Sequence, residues 1–208
     1  NLTHDSFDSD REAVLARATS AGVAQIVVTG ADREGNRQAQ RLADEWPGLL
    51  WATAGNHPHY AADYDASLHA EIQELAGAGK VVAVGETGLD YFRDLAPRPK
   101  QIRCFESQLD IAAALQLPVF MHQRDAHPDF LAIMRERRSS LGPAVVHCFT
   151  DTAEALDDYL ELDLHIGITG WICDERRGGH LADIVGRIPS ERLMIETDSP
   201  YLLPRDLK

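Results

Sequence analysis

Four polar residues with metal-binding side chains each follow a short apolar run. Glu86 follows VVAVG, His122 follows PVFM, His147 follows AVV and Asp198 follows RLMIET. Neutral imidazole and carboxylate are ligands of divalent cations, so this set can hold one ion and offer ligands to a second. A single histidine after an apolar run is most often a core residue, but four such residues at equivalent positions point to a shared site.

The apolar runs predict the strands of a parallel sheet. They are short and nearly all apolar, as expected of parallel strands covered on both faces. The predicted strands are Gln25–Gly30, Leu50–Ala54, Val81–Gly85, Pro118–Met121, Ala144–Val146, Leu164–Ile168 and Arg192–Glu196. Helical patterns fill the gaps between them. The predicted helices are Ser9–Ala21, Arg33–Trp46, Tyr64–Ala76, Lys100–Gln116, Asp125–Arg138, Thr152–Leu162 and Gly179–Arg187.

This order of elements predicts a (β/α)₈ TIM barrel that forms a single domain over residues 1–208. The spacing of roughly 28 residues per unit is close to the barrel average. Seven strands are one short of eight, so we expect the first strand to precede Asn1 and the last helix to follow Lys208. The carboxyl ends of barrel strands form one mouth, where the active sites of such barrels lie. The four polar residues should therefore meet there.

The chemistry expected of this set is metal-assisted hydrolysis. A divalent ion lowers the pKa of a bound water and acts as a Lewis acid. A carboxylate beside that water can take its proton, and Asp198 is our candidate for this role. Removal of Glu86 should lower both activity and metal affinity. The ligand types leave the metal open, because two histidines and a carboxylate also occur in zinc sites, whereas oxygen-rich sites favour Mg²⁺ or Mn²⁺.

Composition limits how the chain can meet its substrate. The net charge is −13, which disfavours binding to nucleic acid through a general basic face. Any nucleic-acid contact must therefore be local. The three cysteines are widely spaced, form no C-x-x-C motif and fit free thiols in the cytoplasm. No apolar run approaches the roughly 20 residues of a membrane span, so no membrane contact is expected.

Several residues near the predicted mouth are candidates for binding substrate. His57 and His59 flank Pro58 just after a predicted strand, and His57 lies nearer the strand end. Five arginines fall in loops after strands and could bind phosphates; they are Arg93, Arg124, Arg176, Arg177 and Arg205, of which Arg124 and Arg205 are the chosen candidates. Three aromatic residues in the same loops could stack on unpaired bases; they are Tyr91, Phe92 and Trp171.

Several longer segments resemble the TatD family of metal-dependent deoxyribonucleases. They are GNHPHY (55–60), VGETGLDYFRD (84–94), PVFMHQRDAH (118–127), VVHCFT (145–150), GITGWICDERRG (167–178) and IETDSPYLLPRDL (195–207). The resemblance implies an amidohydrolase-type TIM barrel and magnesium-dependent, 3′→5′ exonuclease action on single-stranded DNA or RNA ends, linked to DNA repair. It implies Glu86, His122 and His147 as metal ligands, with Asp198 binding a second metal or handling the proton of the water.

The chain departs from the family pattern at one place. Many members carry His-x-His at the end of the first strand, where this chain has Asn1-Leu2-Thr3. One good metal site is therefore expected, with any second ion weak or brought by the substrate phosphate. Two other functions stay open: an ester or amide hydrolase, such as a deacylase of mischarged aminoacyl-tRNA, and a scaffold that has lost its metal. No obligate protein partner is evident from the sequence.

Overall fold

The computed structural model describes residues 1–205, in which strands and helices alternate. The strands are β1 (Ile26–Val28), β2 (Leu50–Ala54), β3 (Val81–Asp90), β4 (Val119–Arg124), β5 (Ala144–Val146), β6 (His165–Ile168) and β7 (Leu193–Ile195). The helices are α1 (Arg11–Ser20), α2 (Arg33–Glu45), α3 (Ala66–Gly77), α4 (Arg98–Leu115), α5 (His127–Arg137), α6 (Ala153–Glu161) and α7 (Gly179–Ile184). Asp206 and Leu207, which end the segment 195–207, lie outside the described residues.

The seven strands form one parallel sheet in sequence order from β1 to β7. A helix separates each strand from the next, so each unit is a β-strand followed by a crossover helix. Within residues 1–205, β1 and β7 each pair on one side only. The predicted strand count, order and direction are thus confirmed, and the sheet is an open portion of a barrel.

The core lies between the sheet and the helices that cover its outer face. In α4 the predicted apolar face is correct, because Phe105, Leu109 and Ala112 are buried. Phe105 stacks on Phe130 of α5 with ring centroids 5.3 Å apart. This packing holds α4 and α5 against β3 and β4, the strands that carry Glu86 and His122.

Strands β3 and β4 extend further than the sequence predicts. β3 continues past Gly85 to Asp90, and β4 continues past Met121 to Arg124. Glu86 and His122 therefore lie inside strands, and the prediction that they follow their strands is wrong. The reason is that the two strands keep pairing after a register shift, with Gly88 opposite His122 and Asp90 opposite Arg124.

Two glycines make this extension of β3 possible. Gly85 has φ +147° and Gly88 has φ +135°, conformations that side-chain-bearing residues rarely adopt. A Cβ on Gly85 would collide with the carbonyl oxygen of Phe120, and one on Gly88 would collide with that of His122. Close approach of β4 to β3 therefore requires glycine on both sides of Glu86.

Helix ends differ from the predicted ends where capping residues decide them. Asp65 and Thr152 accept hydrogen bonds from the first turns of α3 and α6, so each helix begins one residue after its cap. α4 begins earlier than predicted, at Arg98, because Pro99 is tolerated in a first turn. None of the helices within residues 1–205 is long and apolar enough to cross a membrane.

Candidate active site

The buried carboxylate of Glu86 lies at the centre of a cluster of imidazoles. Its Oε1 lies 3.2 Å from His57 Nε2, 3.3 Å from His122 Nδ1 and 3.0 Å from His147 Nε2. These residues come from consecutive strands of the sheet or from the positions just after them, since β2, β3, β4 and β5 are neighbours. The structure thus brings together Glu86, His122 and His147, and it adds His57 as a direct neighbour.

Asp90, the last residue of β3, makes a second layer of contacts behind these imidazoles. Its Oδ2 lies 2.7 Å from His59 Nε2 and 3.2 Å from His122 Nε2. The backbone N–H of Arg93 donates to Asp90 Oδ1 at 2.8 Å. A carboxylate at the outer nitrogen of a metal-binding imidazole fixes the orientation of the ring. His59 therefore reaches the site through Asp90.

Glu196 holds His147 in a comparable way. Its Oε2 lies 3.4 Å from His147 Nδ1, and its Oε1 accepts the backbone N–H of Cys148. Sequence reasoning missed both Asp90 and Glu196. It ended β3 at Gly85, five residues before Asp90, and it treated Glu196 as the last residue of a strand. The signal in the sequence was that each is an acidic residue near the end of a strand, at the mouth of the predicted barrel.

The cluster concentrates positive charge around an ionised carboxylate. Burial raises the pKa of Glu86, but the charge of His147 and hydrogen bonds from His122 and His147 outweigh burial and hold this pKa well below its ordinary value. Burial lowers the pKa of His147, and its contacts with Glu86 and Glu196 outweigh this and raise the pKa well above its ordinary value. Glu86 is therefore negatively charged at neutral pH.

The pKa of His57 shifts in the opposite direction to that of His147, and the pKa of Asp198 shifts in the opposite direction to that of Glu86. Burial lowers the pKa of His57 to about 4, in spite of the charge of Glu86. This imidazole is neutral at neutral pH. Burial raises the pKa of Asp198 above its ordinary value, although the charge of His147 opposes the change. Asp198 Oδ1 accepts a hydrogen bond from Asn1 Nδ2 at 3.0 Å.

The donor set fits a divalent cation. Within residues 1–205, one group of three residues has donor atoms that all lie within 4.8 Å of one another, and it consists of His57, Glu86 and His122. His147 lies against the same carboxylate oxygen. A buried carboxylate with several imidazole nitrogens is the ligand chemistry of catalytic divalent metals. Glu86 and His122 belong both to this group and to the set expected from the sequence.

These residues lie in one open cavity of about 840 Å³. Of the residues named from the sequence, its walls include Glu86, His122, His147, Asp198, His57, His59, Arg93, Arg124, Arg177, Phe92 and Trp171. Arg176 and Arg205 lie instead at an adjoining cavity of about 220 Å³, which shares Trp171 and Arg177 with the larger one. Arg205 Nη2 lies 2.9 Å from Glu175 Oε1, so a neighbouring carboxylate already pairs with this arginine.

His127 lies outside the wall of the large cavity and joins two helices. Its Nδ1 lies 3.0 Å from the hydroxyl of Tyr159, and its Nε2 lies 3.0 Å from Asp158 Oδ2. Both partners belong to α6. The ring therefore links α5 to α6.

Comparisons with known proteins show the family to which this chain belongs. The model of the family described as TatD related DNase matches residues 1–208. The chain belongs to this family. It is 50% identical over 208 residues to a Rahnella sp. (strain Y9602) protein named 3′-5′ ssDNA/RNA exonuclease TatD, with coverage of 100% of this chain and 79% of that protein. Family membership confirms the expected hydrolytic nuclease and supports it over the ester or amide hydrolase.

Solved structures of TatD relatives confirm the barrel fold. A TatD family hydrolase from Entamoeba histolytica has a TM-score of 0.89 and 28% identity, over 99% of this chain and 74% of its own. YjjV, a TatD homologue from Escherichia coli K12, has a TM-score of 0.88 and 30% identity, over 97% of this chain and 77% of its own. The open sheet described above is thus the TIM-barrel sheet of the TatD family.

Proposed function

We propose that this TatD family member is a metal-dependent 3′→5′ exonuclease that shortens single-stranded DNA or RNA. The observation that carries the proposal is the Glu86 cluster, which places several metal-binding groups in the wall of one open cavity. A cavity of about 840 Å³ has the size of a ligand pocket and can take the end of a strand. The name of the Rahnella relative supports the direction of cleavage and the substrate.

Mg²⁺ is the cation we propose, with Mn²⁺ or Zn²⁺ as substitutes. Glu86 and His122 would hold it together with His57 or His147, the two imidazoles that share the Glu86 oxygen. Asp198 lies in the same cavity wall and would serve a second ion or the attacking water. When bound, a divalent cation lowers the pKa of water and withdraws charge from phosphoryl oxygens.

In this reaction, side chains of the protein orient the metal-binding imidazoles, contact the substrate and take up a proton. Asp198 takes the proton of the attacking water, because its carboxylate lies in the cavity wall outside the direct contacts of Glu86. Asp90 orients His122 and His59, and Glu196 orients His147. His57, His59 and Arg124 lie in the same wall, where they can contact the phosphate of the strand end. Arg205 would act further out, at the smaller cavity.

The cytoplasm is the proposed location. Cys104 and Cys148 are free thiols in the structure, which fits a reducing compartment. Single-stranded ends are the proposed substrate partners.

An end-labelled oligonucleotide assay tests the proposal. With Mg²⁺, a 5′-labelled single strand should shorten stepwise, whereas a 3′-labelled strand should release its label as a mononucleotide in the first step. EDTA should abolish both signals. His147→Ala and Asp198→Asn should each cleave far more slowly than wild type. Equal cleavage by all three proteins, or persistence of cleavage in EDTA, would contradict the proposal.

A further inference from the structure

An aromatic and cationic stack lies along the cavity wall, separate from the Glu86 cluster. The guanidinium carbon of Arg124 lies 5.0 Å from the ring centroid of Phe92 and 5.0 Å from that of Trp171. The guanidinium carbon of Arg177 lies 4.1 Å from the Trp171 centroid. We call Phe92, Arg124, Trp171 and Arg177 the stacking rim. All four of its residues line the large cavity.

Hydrogen bonds to neighbouring side chains hold the two arginines of the stacking rim. Arg177 Nε donates to Asp174 Oδ2 at 2.9 Å, and Asp174 is a buried carboxylate. Arg124 Nη1 donates to Thr150 Oγ1 at 2.8 Å. These contacts fix the guanidinium planes, whereas the Phe92 ring is 57% exposed. The rim therefore offers the exposed Phe92 side chain and the half-buried Trp171 to the cavity, with guanidinium groups held beside them.

Charge around the cavity is unevenly distributed. Three arginines of the wall, Arg93, Arg124 and Arg177, lie at the rings of Phe92 and Trp171. The wall residues that follow β1 include the carboxylates of Asp32 and Glu34. In a chain of net charge −13, a polyanion meets least repulsion over the arginines. The strand should therefore approach across the stacking rim.

We propose that the stacking rim is the subsite that selects unpaired nucleotide ends, with bases stacked on Phe92 and Trp171 and phosphates paired with Arg124 and Arg177. This inference rests on the proposed exonuclease function and assigns the preference for single strands to these side chains. Aromatic faces bind any unpaired base, because every base offers a π-surface. A base within a duplex is stacked and paired, so it would have to leave the helix first.

Binding by oligonucleotides that lack bases tests the subsite. The probe is a 5′-fluorescein decamer of thymidine, either intact or with abasic sugars at its last three 3′ positions. Its Kd is measured by anisotropy in EDTA, where cleavage does not interfere. Wild type should bind the intact strand about 5- to 150-fold more tightly, the range produced by loss of one base–aromatic stack. Trp171→Ala should reduce this difference, because only the Phe92 stack remains, and Trp171→Phe should restore it.

Two controls separate the subsite from effects on folding. Trp51 lies on β2, outside the cavity wall, and Trp51→Ala should keep the wild-type difference between the two probes. Phe92→Ser changes an exposed ring and should reduce the same difference. An unchanged ratio in both Trp171→Ala and Phe92→Ser would overturn the proposal. Should Trp171→Ala fail to fold, Phe92→Ser alone decides in the same way.

Activity on the same strands distinguishes failure of the subsite from failure of the proposed function. With Mg²⁺, Trp171→Ala should raise KM for the intact decamer while kcat changes less than it does in Asp198→Asn. A wild-type protein that does not shorten the decamer refutes the exonuclease. A wild-type protein that shortens it, together with variants whose Kd ratio is unchanged, refutes the subsite alone.

Discussion

The Glu86 cluster and the stacking rim share one cavity but are built in opposite ways. In the cluster the side chains of Glu86 and His147 are 8% and 5% exposed, and each faces another titratable group. In the rim, the ring of Phe92 is largely exposed and the cations lie against aromatic faces. Strands β3 and β4 carry Glu86 and His122 of the cluster, whereas Phe92 and Trp171 lie in the segments after β3 and β6.

This difference indicates which side chains determine the reaction and which determine the substrate preference. Buried charges are costly unless they are paired or bind an ion, so the cluster tolerates few arrangements. An exposed stack of rings and guanidinium groups carries little desolvation cost, and its aromatic faces can bind any of the bases. Substitutions in the cluster should therefore impair the reaction for every substrate, and substitutions in the rim should change the preference among substrates.

Glu86→Gln should have the largest effect, because it removes the charge that three imidazoles share. We expect kcat to fall by about 10³-fold or more and Mg²⁺ affinity to fall with it. Single-turnover cleavage and calorimetric titration with Mn²⁺ measure the two quantities. Glu74→Gln changes an exposed glutamate of α3 and serves as the control. Cleavage by Glu86→Gln at the wild-type rate would show that this carboxylate has no role in the reaction.

Asp198→Asn should separate proton transfer from metal binding. We expect kcat to fall by roughly 10²- to 10³-fold, the scale of a lost general base. Mn²⁺ affinity should fall much less than in Glu86→Gln, because the groups that contact Glu86 Oε1 are the imidazoles of His57, His122 and His147. The same two assays apply. A loss of affinity as large as that in Glu86→Gln would make Asp198 a principal ligand.

Asp90→Asn should weaken the cluster indirectly. It removes the carboxylate that lies against His59 and His122, and such outer contacts commonly contribute about 10- to 100-fold in metal affinity. Calorimetry with Mn²⁺ checks this loss, and high Mn²⁺ should restore most of kcat. Asp63→Asn, an exposed aspartate before α3, should change neither quantity. An unchanged affinity in Asp90→Asn would show that His122 needs no such support.

Gln101→Leu should have the smallest effect on activity and a clear effect on stability. Gln101 Oε1 accepts the backbone N–H of Asp90 at 2.9 Å, in a buried environment. Loss of this acceptor leaves the N–H unpaired and should lower the free energy of unfolding by about 1–3 kcal/mol. Urea denaturation measures it, with the exposed Gln73→Leu as reference. Equal midpoints for both variants would contradict the expectation.

The sheet and most of its strands follow from the sequence, because buried parallel strands leave long apolar runs. β2 and β5 have the predicted ends. The extension of β3 could not be predicted in this way. Glycines normally interrupt strands, yet Gly85 and Gly88 lie within β3 because β4 approaches too closely for a side chain. Asp90 was missed for this reason.

The candidate site shows the same division. Glu86, His122 and His147 were predicted to meet because each directly follows a short apolar run. The proximity of His57 to Glu86 depends on the turn at Pro58, which begins a short 3₁₀ helix and has no periodic signal. The separation of Arg205 from the large cavity depends on its pairing with Glu175, and the sequence does not specify such surface partners.

The most direct test of the account is the position of a bound cation. Crystals of the protein soaked in Mn²⁺ should show an anomalous difference peak about 2.0–2.3 Å from Glu86 and His122, as metal–ligand bonds require. The third side chain within bonding distance of the Mn²⁺ then shows whether His57 or His147 completes the site. Mn²⁺ that supports cleavage but binds away from Glu86 and His122 would contradict the account.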